Sequence, residues 1–379
     1  MKHGDIKDSI PGSESPGHDS EIIVDRIILR RICLPLIEPY RLSYHTFDMF
    51  EPIIVEVHGS DGKMGWGDGH ISPGSSDETR AGGWGFCQEI ASTVVGLETN
   101  AAISAIANRL HESKVAGSAL TVALEMLEQS SLLDVPEDID LPLLAPVNGL
   151  NEVELEPELE AKMADGFKTF KIKVGKDVDA DLARLALVQK LTAARATLRI
   201  DANRAFERDQ GIKFASSIDP TGVELFEQPC AAEDWDANGT VAEHSTVPLM
   251  LDEPICGLAD IEKAAGMKGV GLCKLKLKRF GSLSCLKQGL DLVRNLGMDA
   301  VLGDGLGSEL TGWMEAAVAQ TSISNAGEFN GFLKVSGRLF KNPLKFENGN
   351  LSLPKGFVPS LNQRRLEDLT IEVAEFQAI

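Results

Sequence analysis

The fold is decided by three short apolar runs, TLRIDAN (197–203), VELFEQP (223–229) and PLMLDEP (248–254), each of which contains a carboxylate where the run gives way to turn residues. The carboxylates Asp201, Glu227 and Asp252 are 26 and 25 residues apart. One strand, one helix and two short loops use about that much chain. The step therefore predicts βα units of a barrel, with the three acids at neighbouring strand ends.

Three carboxylates at neighbouring strand ends would converge on one point. Such a concentration of negative charge is costly unless a cation neutralises it, and a ligand set made only of carboxylates favours Mg²⁺ or a similarly hard ion. The spacing therefore predicts a metal site formed by Asp201, Glu227 and Asp252.

Lysines flank this series on both sides. Upstream, in FKTFKIKVG (167–175), Lys171 and Lys173 have the same parity on a strand and should point to the same side. Downstream, in LCKLKLKRFGS (272–282), Lys276 follows Asp252 by 24 residues. Lys274 and Lys278 have the same parity as Lys276 along the strand. Lys276 is selected from the three as the candidate because of its distance from the turn at 281–282. Lysines beside a metal-bound carboxylate site suggest base chemistry.

Further strand-like runs complete a barrel. DAVLGD ends at Asp304 and EFNGFL begins at Glu328, which continues the step with intervals of 28 and 24 residues. With APVNGL (145–150) as the first, the count is eight. We predict an α+β unit over 21–142, a barrel over 143–345 and a C-terminal segment, 346–379, that returns to the α+β unit. The polar residues 1–20 are predicted to be a disordered tail.

Composition limits the possible functions. The 379 residues include 25% charged and 43% hydrophobic residues, typical of a soluble globular protein. A net charge of −20 argues against nucleic acid or an anionic membrane as a partner. An anionic substrate would therefore need a local region of positive potential at its binding site. The six cysteines are scattered, and no membrane span or signal peptide is visible, which favours the cytoplasm.

The ordered set of KxK, DxN, EQP, DEP and a lysine before a Gly-Ser turn resembles the muconate lactonizing enzyme subgroup of the enolase superfamily. Each motif alone is weak, but the order and spacing are specific, and the α+β unit resembles the capping domain of that superfamily. The resemblance implies an α/β fold, a modified TIM barrel (β/α)7β with an N-terminal α+β capping domain. It also implies a small carboxylate substrate and a homo-oligomer.

Carried onto this chain, the resemblance implies Mg²⁺ on Asp201, Glu227 and Asp252. Lys173 would be the acid/base on one face of the substrate with Lys171 beside it, and Lys276 would act on the opposite face. Four further residues are candidates for supporting the metal or lysine, or for contacting substrate: Asn203, Glu253, Asp304 and Glu328. Four more lie in stretches that resemble substrate-covering loops, with core packing as the alternative: Tyr44, His45, Trp66 and His70.

The implied reaction is removal of a proton α to a metal-bound carboxylate, which gives an enediolate. A free lysine has a pKa of about 10.4 and a lysine base needs about 7–8, a change that the metal and Lys171 would favour at Lys173. Reprotonation from the other face gives racemisation or epimerisation of an amino-acid-like carboxylate. The alternatives are a muconate-type cycloisomerase, a hydroxy-acid dehydratase, and a barrel that only binds a carboxylate.

Two features depart from related patterns. The stretch ALEMLEQSSLLDVPEDIDLPLL (123–144) lacks the Trp-Asp and Gly-Lys pairs that the subgroup carries before the barrel, so we expect a remodelled barrel entry. All seven histidines lie at or before His244, whereas the mandelate racemase subgroup has a histidine base late in the barrel. That subgroup is therefore disfavoured.

Overall fold

The computed structural model describes residues 21–41 and 46–378, so the predicted tail (1–20) and the candidates Tyr44 and His45 lie outside the described residues. The N-terminal part has two antiparallel sheets and three helices. Its strands are β1 (Val24–Ile32), β2 (Leu34–Arg41), β3 (Thr46–Phe50), β4 (Ile53–Gly59) and β5 (Met64–Gly69), and its helices are α1 (Arg80–Val94), α2 (Thr99–Arg109) and α3 (Lys114–Leu127).

Strands β4 and β5 form a hairpin and pair antiparallel from His58 opposite Met64 to Ile53 opposite Gly69. Helix α3 lies directly on β5 because glycines leave room for its backbone. A Cβ atom at Gly67 would stand 1.9 Å from the carbonyl oxygen of Ala119, so no other residue fits there without moving the helix. This close packing fixes the position of β5 against α3.

The barrel contains seven parallel strands in the spatial order β7 to β13, which is also their order along the chain. A short strand, β6 (Ile139–Pro142), precedes them. The barrel strands are β7 (Ala145–Val147), β8 (Thr169–Lys173), β9 (Thr197–Asp201), β10 (Val223–Glu227), β11 (Leu249–Leu251), β12 (Val270–Leu275) and β13 (Asp299–Leu302). The predicted α/β fold, a barrel of βα units that follows an N-terminal α+β unit, is confirmed.

Helices alternate with these strands, as parallel strands require crossover connections. They are α4 (Glu152–Ala164), α5 (Val178–Thr192), α6 (Arg208–Ser217), α7 (Trp235–His244), α8 (Leu258–Ala265), α9 (Leu277–Phe280), α10 (Leu283–Asn295) and α11 (Glu309–Ala319). Inside the barrel, Leu225, Met250, Leu272 and Val301 form a separate buried apolar cluster. Glu227 lies two residues beyond Leu225 on the same strand and therefore on the same inner side, nearer the strand end.

The prediction of an eighth strand at EFNGFL is wrong. Residues 331–333 form a turn of 3₁₀-helix, and Glu328 lies in an extended connection. This connection still closes the barrel, because the Glu328 amide donates to Leu302 O and the Gly327 amide donates to Pro142 O, both at 2.8 Å. The approach is so close that a Cβ atom at Gly303, whose φ is +115°, would lie 2.5 Å from the Glu328 carbonyl carbon.

The C-terminal residues return to earlier parts of the chain. They form β14 (Lys345–Glu347), β15 (Asn350–Leu353), α12 (Gln363–Leu369) and β16 (Thr370–Gln377). Strand β15 pairs with β6, and β16 pairs with β1 at the edge of the N-terminal sheet. The boundaries at 142 and 345 stay a prediction. In the described ranges, the helices are too short or too polar to cross a bilayer.

Candidate active site

Strand register brings the predicted residues together. Lys173 on β8 lies opposite Asp201 on β9, and Asp201 lies opposite Glu227 on β10, so three consecutive strands end at the same level. The backbone then turns sharply, with φ of +44° at Asn203 and +38° at Gln228. Non-glycine residues with positive φ are uncommon and concentrate at functional sites. The residues that follow these strand ends therefore have the unusual backbone conformation that is typical of functional sites.

The three carboxylates predicted to bind metal are buried, with Asp201, Glu227 and Asp252 no more than 2% exposed. Lys171 lies between two of them. Its Nζ stands 2.9 Å from Asp201 Oδ2, 2.9 Å from Glu227 Oε2 and 3.0 Å from Glu328 Oε2. Unpaired buried carboxylates would be strongly destabilising, so this lysine supplies the positive charge that the cluster requires.

The shifts in pKa within this cluster follow from burial and charge. Burial raises the pKa of Asp201, but Lys171 and Lys173 outweigh it and hold the pKa below its usual range. Burial and repulsion from Asp201 and Asp252 raise the pKa of Glu227, despite the neighbouring lysines. Of the three predicted metal ligands, Glu227 is the one whose pKa is raised, and an additional cation beside it would offset this effect.

Lys171 and Lys173 point to the same side, since both approach Asp201 Oδ2. Lys173 Nζ donates to Asp201 Oδ2 at 2.5 Å and to Asn203 Oδ1 at 2.6 Å. The Lys173 side chain is 28% exposed, whereas the Lys171 side chain is 4% exposed. Lys173 is therefore the lysine of this pair that a molecule in the cavity can reach, and Lys171 is a buried counter-ion.

Lys276 approaches from the other side of the barrel, directly after β12. Its Nζ lies 3.0 Å from Asp252 Oδ2 and 3.2 Å from Asp304 Oδ1. Burial lowers the pKa of Lys276, but the carboxylates of Asp252, Asp304 and Glu253 outweigh burial and the nearby Arg279 and raise it above its ordinary value. In this arrangement Lys276 holds its proton at neutral pH.

Glu253 also lies at the cavity wall. Its carboxylate is 3.3 Å from Arg204 Nε, and its Oε2 is buried without a hydrogen-bond partner. Burial and the neighbouring Asp252 raise the pKa of Glu253 to about 7.

Sequence reasoning missed Lys274 as a functional residue. Its ammonium group contacts Glu328 and lies 3.4 Å from Glu227 Oε1, and the residue is only 1% exposed. Glu328 therefore holds Lys171 and Lys274 and does not stand free for substrate. The sequence signal that could have identified Lys274 is its shared parity with Lys276, because both side chains face inward from β12 and its continuation.

These side chains surround one cavity, whose empty space is about 480 Å³ when the part open to solvent is included. All site residues predicted within the barrel line it except Glu227, which lies behind Lys171. The cavity also contacts residues that the sequence did not single out: Tyr40, Ser72, Ser75, Lys278, Arg279 and Leu306.

The two described candidates from the capping domain do not line this cavity. Trp66 is part of the hydrophobic core, and His70 lines a small neighbouring cavity. Burial lowers the pKa of His70 to about 3, so its ring is neutral at physiological pH. For Trp66, the alternative of core packing is therefore the correct interpretation.

A hard divalent ion requires several oxygen donors that converge on one point. In the stretches 21–41 and 46–378, no three His, Cys, Asp or Glu side chains are placed so that they could hold a metal ion. Lysine ammonium groups lie between the carboxylates. The donor set nevertheless fits a hard divalent ion, because Glu227 Oε2 is buried and makes no hydrogen bond, although Lys171 is within ion-pair distance.

A buried carboxyl group near the site gives a pH prediction. Glu315 on α11 accepts a hydrogen bond from the Leu277 amide at 3.1 Å, and burial raises its pKa to about 8. In the unfolded chain a glutamate has a pKa of about 4.3, so the folded state binds the proton more tightly. The resulting stabilisation is complete at low pH and is lost as pH rises through about 8.

We therefore expect Glu315→Gln, which cannot ionise and keeps the acceptor oxygen, to raise the Tm by about 2–6 °C at pH 9 and to have little effect at pH 5. Thermal unfolding of both proteins across this pH range measures the difference. Glu347→Gln, at an exposed position on β14, is the matched control. A gain that is equal at both pH values would contradict the assignment.

Comparisons with known proteins agree with this geometry. Residues 154–357, more than half of the chain, match the family described as enolase C-terminal domain-like. An L-Ala-D/L-Glu epimerase from Clostridium acetobutylicum is 24% identical over 297 residues, covering 74% of this chain and 82% of the epimerase. A muconate cycloisomerase from Acinetobacter lwoffii is 26% identical over 357 residues, covering 85% of this chain and 88% of the relative.

The fold has close counterparts among solved structures. A dipeptide epimerase from Cytophaga hutchinsonii, solved with Mg and the dipeptide D-Ala-L-Val, superposes with a TM-score of 0.85 at 18% identity. The match covers 94% of this chain and 100% of the epimerase. The chain therefore belongs to the enolase C-terminal domain-like family and is an enzyme of the muconate lactonizing enzyme-like subgroup of the enolase superfamily.

Proposed function

We propose that this enzyme removes the proton α to a substrate carboxylate and returns a proton on the opposite face, which racemises or epimerises an amino-acid-like substrate. The observation that carries the proposal is the placement of Lys173 and Lys276. Lys173 ends the second of the seven consecutive barrel strands, Lys276 directly follows the sixth, and both line one cavity. Because these positions lie across the barrel from each other, a substrate between them meets one lysine on each face.

The side chains around the two lysines suit them to different roles. Asn203 and Asp201 accept hydrogen bonds from Lys173 Nζ and so orient a side chain that is open to the cavity. Asp252 and Asp304 keep Lys276 protonated, which suits it to deliver a proton. The action of Lys173 as a general base stays a prediction.

Asp201, Glu227 and Asp252 would hold Mg²⁺ in this proposal. When bound, the ion neutralises the substrate carboxylate and so stabilises the negative charge that develops as the α-proton leaves. Lys171 and Lys274 then serve as buried counter-ions that keep Glu227 and Glu328 in place beneath the site.

Metal dependence follows from this assignment. We expect a chelator to abolish turnover and Mg²⁺ to restore it. The metal-free protein should remain folded, as measured by circular dichroism. A panel of dipeptides, N-acyl amino acids and muconate-type lactones, assayed by polarimetry and chromatography, supplies the substrate. Full turnover by protein shown to be metal-free by elemental analysis would refute the assignment.

A second candidate is a muconate-type cycloisomerase. It is favoured by the Acinetobacter lwoffii relative, whose match covers more of both chains than that of the Clostridium epimerase. Both reactions require abstraction or return of a proton α to a carboxylate, so the same lysines and carboxylates serve either one. A hydroxy-acid dehydratase stays a third possibility, and a homo-oligomer in the cytoplasm stays a prediction.

A further inference from the structure

The two lysines proposed as acid and base are held by different parts of the chain. Directly after Lys173, the amides of Gly175 and Lys176 donate to Asp181 Oδ2 at 2.7 and 3.0 Å. Arg184 Nη1 donates to the carbonyl oxygen of Lys173 at 2.8 Å. Asp181 and Arg184 both belong to α5, the helix that follows β8. The backbone on this side is therefore fixed by the barrel itself.

The segment that begins at Lys276 is instead held by the capping domain. Glu125 on α3 accepts hydrogen bonds from the Leu283 amide at 2.7 Å and from the Ser284 amide at 3.2 Å, the first two amides of α10. These amides have no partner within their own helix, and the helix dipole favours a negative charge beside them. Glu125 is only 8% exposed, and a buried carboxylate is costly unless such hydrogen bonds satisfy it.

Two more contacts join the capping domain to the same segment. Ser118 lies seven residues before Glu125 and on the same face of α3, and its Oγ donates to the carbonyl oxygen of Lys278 at 3.1 Å. At Gly281, where φ is +82°, a Cβ atom would stand 2.5 Å from Cδ2 of Leu110 in the capping domain. The middle and the end of the segment are therefore in contact with the capping domain.

A second buried carboxylate of the capping domain fixes the neighbouring helix. Asp68 on β5 is 5% exposed, and its Oδ2 accepts a hydrogen bond at 2.7 Å from the amide of Ser308, the residue that caps α11. Glu315 on α11 in turn accepts a hydrogen bond from the amide of Leu277, the residue after Lys276. Asp68 therefore acts on the backbone beside Lys276 through α11.

The capping domain also reaches the Lys173 side, through an exposed hydrogen bond from Arg204 Nη2 to Gly74 O at 3.2 Å. Water can replace an exposed hydrogen bond at little cost, whereas loss of the Glu125 carboxylate would leave two helix amides without their partner. The two sides of the cavity should therefore differ in how strongly they depend on the capping domain.

We propose that Glu125 and Asp68 are positioning residues that hold Lys276, and not Lys173, in its reactive geometry. This inference rests on the proposed function, in which the two lysines act from opposite faces, and it deepens that function. Displacement of a reacting group by about 1 Å can cost about 100-fold in rate. Loss of Glu125 should therefore impair the proton transfer of Lys276 selectively.

Amide hydrogen exchange followed by mass spectrometry tests the contact without a substrate. In Glu125→Ala, a peptide that spans 277–288 should exchange faster by about 10-fold or more, and one that spans 171–178 should be unchanged. Glu125→Gln keeps an acceptor oxygen and should restore most of the protection. Glu56→Ala is the matched control, because Glu56 is also a buried glutamate of the capping domain but pairs within its own sheet.

The catalytic measurement is the ratio of α-deuterium exchange between the two configurations of a substrate. Glu125→Ala should slow exchange by about 10- to 100-fold in the configuration that Lys276 deprotonates, which is the one that still exchanges in Lys173→Ala. The other configuration should stay within about 3-fold of the wild type. Asp68→Ala should shift the ratio in the same direction, and Asp181→Ala in the opposite direction. Partial unfolding would lower both rates equally and leave the ratio unchanged.

Unchanged protection of 277–288, or equal slowing of both configurations in a folded Glu125→Ala protein, would overturn the inference. Asp68→Ala provides the same ratio test if Glu125→Ala does not fold. A wild type that exchanges both configurations, with a ratio that no variant alters, contradicts only this inference. A wild type that fails to exchange both configurations contradicts the proposed function, and amide exchange then still decides whether Glu125 holds the segment.

Discussion

Glu227→Gln is expected to lose Mg²⁺ binding and turnover together while the barrel remains folded. The substitution keeps the shape of a side chain that is 1% exposed but removes its negative charge. Even residues that only support a metal ligand change metal affinity by about 10- to 100-fold when mutated, so loss of a ligand should exceed about 100-fold. Titration calorimetry with Mg²⁺, together with the turnover assay, measures both effects.

The same substitution should lower the Tm by a few degrees, because Lys171 and Lys274 each lose a buried partner. The far-ultraviolet circular dichroism spectrum should be unchanged. Glu262→Gln, at an exposed position on α8, should behave as the wild type. A Glu227→Gln protein whose Mg²⁺ affinity stayed within about 3-fold of the wild type would remove Glu227 from the proposed ligand set.

Lys173 and Lys276 are expected to act on opposite configurations of the substrate. A base must lie within about 3 Å of the proton that it removes, so each lysine can reach the α-proton of only one configuration. Lys173→Ala should stop overall conversion in both directions, by at least about 10³-fold, but leave α-deuterium exchange in one configuration. Lys276→Ala should show the mirror-image result.

Lys168→Ala is the control, because Lys168 is exposed just before the strand that carries Lys173. If either active-site variant exchanged both configurations at the wild-type rate, the two-face arrangement would be wrong. If the wild type itself exchanged only one configuration, the second lysine would act through its charge, and the cycloisomerase would replace the racemase as the better proposal.

Much of the barrel could be predicted because one physical rule repeats along the chain. Each βα unit occupies a nearly constant length, and parallel strands end at one face, so acids at a fixed step become neighbours. Register then places Lys173, Asp201 and Glu227 side by side, as the spacing implies. The Mg²⁺ site itself, which requires the carboxylates to meet one ion, stays a proposal.

Other features depend on contacts that spacing does not encode. Lys274, Lys276 and Lys278 have the same parity, but β12 ends at Leu275 and α9 begins at Leu277, so the chain changes direction between them. Only the folded chain reveals that Lys274 is paired with Glu328 and that Lys278 faces Asp304. EFNGFL continues the step of the strand-like runs, which predicts a strand, but its segment closes the barrel through single backbone hydrogen bonds.

The most direct test of the proposed chemistry is the fate of the α-proton in D₂O. The Mg²⁺-loaded wild-type enzyme would be incubated with the carboxylate panel, and the products would be examined by proton NMR and mass spectrometry. The account predicts that a converted substrate acquires one solvent deuterium at its α-carbon, and that chelation prevents this. Conversion of a substrate whose α-carbon keeps its original hydrogen throughout would contradict it.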